Sequence, residues 1–128
     1  HIVEAASKVK GDVKILAVTV LTSLNRNDLN MNLIKDGDLD YIVEQRTDLA
    51  FRFGADGVIC SPEEIKLLRK NYKDKLIVTP GIRNKQDDAG DQKRIATRSQ
   101  AFTNGADYVV VGRPVYKAHN PLEALRNL

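Results

Sequence analysis

The chain has a single cysteine, Cys60, so an internal disulfide framework is excluded and a reducing, cytoplasmic setting is expected. Two histidines and that one cysteine are too few for the usual clustered zinc site. No apolar run approaches the roughly 18–20 residues that a membrane-spanning helix needs. The opening residues His1-Ile2-Val3-Glu4-Ala5-Ala6 lack the pattern of a secretory leader, so no signal peptide is expected. Aromatic residues are sparse at 5%, and the basic stretch Lys66, Arg69, Lys70, Lys73 and Lys75 has only Tyr72 among it, which argues against a single-stranded nucleic-acid surface. Charge of one sign is also lacking: 20 bases stand against 17 acids, a net +3 that suits an anionic ligand better than a nucleic-acid backbone. What remains is ordinary for a globular protein, with 42% hydrophobic and 29% charged residues in 128, about one domain.

Four short β-branched runs stand out: Ile15–Val20, Gly57–Cys60, Leu76–Thr79 and Tyr108–Val111. They are continuous rather than alternating, which predicts parallel strands covered on both faces. Helical patterns separate them. Leu39, Ile42, Val43, Leu49, Ala50 and Phe53 share a face between Asp38 as N-cap and Gly54 as stop. Ser61-Pro62-Glu63-Glu64 offers an N-cap, a first-turn proline and a capping-box acid, and Thr97–Gln100 and Asn120–Glu123 open two further helices. The order expected is a helix, then strand–helix four times. This is an α/β chain. Gly54-Ala55-Asp56 recurs as Gly105-Ala106-Asp107, each copy leading from a helix end into a strand; the echo reads equally as good turn chemistry or as a repeated barrel unit.

Four parallel strands leave two bare edges, and an eight-stranded (β/α)8 barrel takes about 250 residues. The chain therefore reads as half of one barrel domain, residues 1–128 supplying about four βα units. In such barrels the site lies on the loops at the C-terminal strand ends. The third of these loops, Pro80-Gly81-Ile82-Arg83 through Asp91-Gln92-Lys93-Arg94, exceeds the usual length of 2–6 residues and mixes bases with acids, a pattern that fits either a solvated loop or a functional one. The fourth is Gly112-Arg113-Pro114, where a bare backbone N–H beside a fork-shaped cation suits a phosphate dianion.

Thr19-Val20-Leu21-Thr22-Ser23, Thr79-Pro80-Gly81-Ile82-Arg83, Gly90-Asp91-Gln92 and Gly105 through Pro114, in this order and spacing, resemble the bacterial orotidine 5′-phosphate decarboxylases. The resemblance covers the whole chain but only the second, C-terminal half of the family's (β/α)8 barrel. It implies conversion of orotidine monophosphate to uridine monophosphate without metal or organic cofactor, in a homodimer. Carried over by motif, Thr22 would meet the pyrimidine edge, with Ser23 its neighbouring candidate. Gln92 would bridge base and phosphate, Gly112 and Arg113 would hold the phosphate, and Arg83 would flank the pocket.

Two departures from the family pattern stand out. Arg98 replaces a usual helix-opening proline, which changes a cap and not the chemistry. The family's Asp-x-Lys-x-x-Asp array is missing: Asp12-Val13-Lys14 and Asp91-Gln92-Lys93 begin it, but Ala17 and Ala96 stand where the last aspartate belongs. No catalytic residue is assignable in these 128 residues. The alternatives are a half-barrel that binds a nucleotide phosphate without catalysis, and a relic fragment; a ribulose-phosphate epimerase-like barrel lacks the Gly-Asp-Gln support. Cys60 reads as a buried small apolar group, His119 as a surface residue, and the basic stretch as a solvated helix end helped by the helix dipole.

Overall fold

Every strand in the described residues runs the same way. The computed structural model describes residues 2–31, 37–84 and 93–128. Helix α1 (Ile2–Val9) precedes β1 (Leu16–Val18), α2 (Arg26–Met31) and α3 (Leu39–Arg52). Then follow β2 (Gly57–Ile59), α4 (Ile65–Asn71), β3 (Leu76–Thr79), α5 (Arg98–Asn104), β4 (Tyr108–Val109), α6 (Arg113–Tyr116) and α7 (Pro121–Arg126). The sheet order is β1-β2-β3-β4, all pairs parallel, as successive βα units give when each crossover returns to the neighbouring position.

One face of the sheet is packed. The register aligns Ala17, Val58 and Ile77, and Val58 and Ile77 are fully buried with Ile42, Val43, Ile65, Leu68 and Ala101 of the helices. The next row, Val18–Ile59–Val78–Tyr108, points the opposite way by the two-residue period of a strand. Its ends are open: Val18 is 55% and Tyr108 60% exposed. Coverage on both faces, expected from the continuous apolar runs, therefore fails at the two edge strands, which have a neighbour on one side only.

The edges also explain shorter strands than the sequence suggested. Beyond β1, the Thr19 N–H still donates to Ile59 O at 3.1 Å, and beyond β4, Val110 N–H donates to Thr79 O at 2.9 Å. A single-sided bond continues the ladder without a full pairing. Two helices break the expected alternation: α2 lies within the β1 loop, and α6 begins directly at Arg113 with Gly112 as its N-cap. Helix α4 starts at Ile65, three residues later than Pro62. The Glu64 carboxylate does accept from the Ser61 N–H at 2.6 Å, but Ser61–Glu64 closes as a turn. Thr97 and Gln100 form the complete capping box, and Asn120 caps α7 through the Glu123 N–H.

The two Gly-Ala-Asp copies do the same work. Gly54 and Gly105 take left-handed φ of +90° and +108°, and a Cβ on either would come within 2.9 Å of Ser7 Cβ or Arg69 Cγ. Asp56 then accepts from Ile15 N–H at 2.8 Å and from Lys10 Nζ at 2.5 Å. Asp107 accepts from Ile77 N–H at 2.7 Å and from Arg69 at 2.6 Å. Each carboxylate thus ties the strand it introduces to the neighbour on one side. Arg69 is accordingly no solvated helix-end base: its guanidinium also donates to the carbonyls of Gly105, Tyr72, Lys73 and Lys75. The long-range acceptor Asp107, 38 residues away, is what a local reading of the basic run cannot show.

The hydrogen bond from Lys10, and next that from Ile15, hold the Asp56 carboxyl below the ordinary carboxylate range. A depressed folded-state value stabilises the fold above the unfolded value, and this contribution is lost as pH falls through the folded one. Asp56→Asn is expected to lower the urea midpoint at neutral pH and to flatten the loss of stability below about pH 4. Urea titrations at pH 3–7 that superimpose for wild type and variant, apart from a constant offset, would contradict this.

Candidate functional site

The parallel sheet delivers the four loops that follow its strands to one end, and there a cavity of about 250 Å3 opens. It is lined by Thr22 after β1, Pro80, Gly81 and Arg83 after β3, and Val110, Gly112, Arg113 and Tyr116 around β4 and α6. Four of the five residues singled out by sequence, Thr22, Arg83, Gly112 and Arg113, thus face one space. The fifth, Gln92, lies outside the described residues, as do Lys85, Asp87, Asp88 and Asp91 of the same loop. Ser23 is half-buried and does not line the cavity.

The two arginines differ. Arg83 is 5% exposed, and its Nη1 donates to Ile82 O at 2.7 Å. Its backbone is fixed by a parallel bridge between Ile82 and Ala96, with Arg83 N–H donating to Ala96 O at 3.0 Å and Ala96 N–H to Gly81 O at 3.3 Å. Arg113 is half-buried on the first turn of α6. A Cβ on Gly112 would make ordinary contact with Tyr116 Cε1, at 3.7 Å. Two guanidinium groups, the Thr22 hydroxyl and the Gly112 backbone therefore border this small hollow, with Pro80, Val110 and Tyr116 as its apolar wall. That set suits a phosphate ester, since guanidinium groups bind phosphate oxygens in forked pairs. Tyr116 was missed by sequence reasoning; it sits three residues after Arg113 on α6, and an i,i+3 reading of that short helix would have placed the two together.

A second hollow, about 490 Å3, lies elsewhere, between α1, β1 and α3. Ile2, Val3, Ala17, Val18, Leu49, Ala50 and Phe53 make it mainly apolar, and its one cation, Arg46, donates to Thr19 O at 2.7 Å. It is larger, yet it brings together no set of polar groups and takes in the edge of the sheet rather than the loops.

Compared with known proteins, residues 1–128 match the family model described as orotidine 5′-phosphate decarboxylase / HUMPS family. The chain belongs to that family. It is 52% identical to the orotidine 5′-phosphate decarboxylase of Ruegeria pomeroyi, over 97% of this chain and 53% of that protein. To the Jannaschia sp. protein of the same name it is 50% identical, over 97% of this chain and 56% of the relative. The chain spans about half the length of these curated relatives. In three dimensions it superposes on the crystal structure of orotidine 5′-phosphate decarboxylase from Lactobacillus acidophilus with a TM-score of 0.78 and 34% identity, covering 98% of this chain and 55% of that one. The four-stranded sheet and its helices are thus part of the (β/α)8 barrel of the orotidine 5′-phosphate decarboxylases, and the open edges are those of a partial barrel.

Cys60 stands at the end of β2, fully buried, and burial pushes its thiol up to about 12 against the opposing charges of Arg94 and Arg69. A thiol so protonated is no nucleophile at neutral pH. The folded chain is expected to resist iodoacetamide at pH 8 and to label at once in urea; rapid labelling of the folded chain would contradict the packing described.

Proposed function

We propose that the chain is the C-terminal, phosphate-binding half of an orotidine 5′-phosphate decarboxylase barrel, acting on orotidine monophosphate to give uridine monophosphate. The observation that carries this reading is the convergence of Thr22, Arg83, Gly112 and Arg113 on one hollow at the C-terminal ends of the strands, in a chain of this family. Arg113 and the Gly112 backbone would take the phosphate, Arg83 would flank it, and Thr22 would face the pyrimidine. Gln92, on the loop between Arg83 and Lys93, would bridge base and phosphate. Holding a phosphate remote from the reacting carbon supplies binding energy that can be used to position the base and stabilise the transition state. Neither metal nor organic cofactor enters this reading. The natural setting would be the cytoplasm, and the assembled enzyme a homodimer.

Chemistry needs more than this half. Expelling a carboxylate as carbon dioxide requires a group that destabilises the bound carboxylate or stabilises the developing carbanion, and an acid that protonates the carbon. The Lys/Asp array that would do so in this family is not found in these 128 residues. A catalytically silent half-barrel that retains nucleotide binding is the second reading, favoured by that same missing array.

Two experiments test the proposal. In the chain complemented by the N-terminal half of the Ruegeria pomeroyi relative, Arg113→Ala should weaken uridine monophosphate binding about tenfold or more, the equivalent of a lost charge-assisted hydrogen bond of ~1.5–3 kcal/mol, and leave uridine nearly unaffected. Equal losses for both ligands in titration calorimetry would remove the phosphate assignment. The 128-residue chain alone should not deplete orotidine monophosphate above background, since loss of the proton donor by itself costs about 10²–10⁴-fold, and complementation should restore turnover. Robust turnover by the chain alone would overturn the assignment of chemistry to the other half.

A further inference from the structure

Arg94 stands among the charges of the long third loop, yet it does not face solvent or the cavity's ligand space. It is 3% exposed and paired with Glu64, itself 1% exposed. Nη1 of Arg94 meets Glu64 Oε1, while Nη2 donates to Leu21 O at 3.0 Å and lies 3.5 Å from Val20 O. The other Glu64 oxygen accepts from Ser61 N–H at 2.6 Å. One guanidinium and one carboxylate therefore join the loops that follow β1 and β2 to the returning limb of the loop that follows β3. Neighbouring bonds run the same way: Lys93 N–H donates to Thr22 O at 3.3 Å, and Lys93 Nζ reaches Asp28 at 2.7 Å. Two residues beyond Arg94, Ala96 is bridged to Ile82 and accepts from the Arg83 N–H. Thr22 and Arg83, on the loops after two different strands, thus have their backbones held by the same short limb.

We infer that Glu64 and Arg94 are positioning residues for the anion-binding cavity: they touch no ligand, but fix Thr22 and Arg83 relative to each other. The inference rests on the phosphate reading above. A site built from separate loops binds tightly only if those loops are held before the ligand arrives, because otherwise binding must order them. Arg94 suits the task because a planar fork can engage a carboxylate and a carbonyl at once, which the single ammonium of lysine at the end of a flexible stem cannot reproduce. Coupling is reciprocal: whatever the clamp contributes to ligand affinity, the ligand returns as protection of the clamp.

The test uses NMR titration of the 128-residue chain with uridine monophosphate and with uridine. Glu64→Gln removes the charge at nearly constant volume, and Arg94→Lys keeps the charge but loses the fork. Both should weaken uridine monophosphate binding about tenfold or more, as small misplacements of preorganised groups do. Arg69→Met, which breaks the equally tied Asp107 clamp, should lower stability without changing that affinity. Wild-type affinity in either folded clamp variant, or an equal loss in Arg69→Met, would overturn the inference. Should neither clamp variant fold, the wild type decides: uridine monophosphate should slow exchange of the Ser61 amide, which lines no part of the cavity, and unchanged Ser61 exchange would overturn the inference. A wild-type chain that binds uridine monophosphate no better than uridine would remove the phosphate reading instead, before any variant is made.

Discussion

The buried pair of Glu64 and Arg94 is the constraint that joins the loops at one end of this half-barrel. Taking two charges out of water costs several kcal/mol per ion, repaid only when geometry and further hydrogen bonds are good. The further hydrogen bonds are in place: Glu64 meets Arg94 and accepts from Ser61, and Arg94 also donates to the Leu21 carbonyl, with Arg94 Nε alone of its nitrogens left without a partner. Removing one member would strand a buried charge at a cost of about 3–5 kcal/mol. A hydrophobic pair of equal volume could give similar stability. It could not bond the Leu21 carbonyl of the first loop and the Ser61 amide of the second, and those bonds tie both loops to Arg94 of the third.

At the opposite end of the sheet a different device recurs. Asp56 and Asp107 each follow a left-handed glycine and an alanine, and each binds a strand amide and a base. The repetition has a mechanical basis: every αβ junction must stop a helix, turn, and enter a parallel strand in register. Between the two ends the core on the helix-covered face is continuous, from Ile42 and Val43 through Val58 and Ile77 to Ala101. The other face is buried at Val78 but open at both edge strands, Val18 and Tyr108, which accords with a chain that spans about half the length of its relatives. The apolar hollow beside Phe53 belongs to the β1 edge and not to the loops.

Much of this was legible in the residues. Strand β3 runs over Leu76–Thr79 as its pattern predicted, because it is an interior strand with a neighbour on each side. The Thr97–Gln100 box and the Asn120 cap are local, and local chemistry reads well from sequence. Thr22, Arg83, Gly112 and Arg113 were recognisable from motifs, and the cavity they line follows from parallel strands all ending on one side. What escaped was long-range. Glu64 carries the capping-box signature, and only the fold shows that its second oxygen meets an arginine 30 residues on. Arg69 reads from sequence as one charge of a solvated helix end, and Arg94 as one charge of a loop either solvated or functional; their acceptors are carbonyls and carboxylates on other elements. The edge strands were read too long because a continuous apolar run does not tell how many neighbours it has.

The central claim is that the hollow at the strand ends receives a nucleotide phosphate. A crystal structure of the complemented barrel with uridine monophosphate tests it most directly. The account predicts phosphate oxygens within about 3 Å of the Arg113 guanidinium and the Gly112 amide, with the pyrimidine toward Thr22. A phosphate bound away from Arg113, or the nucleotide lodged instead in the apolar hollow beside Phe53, would contradict it.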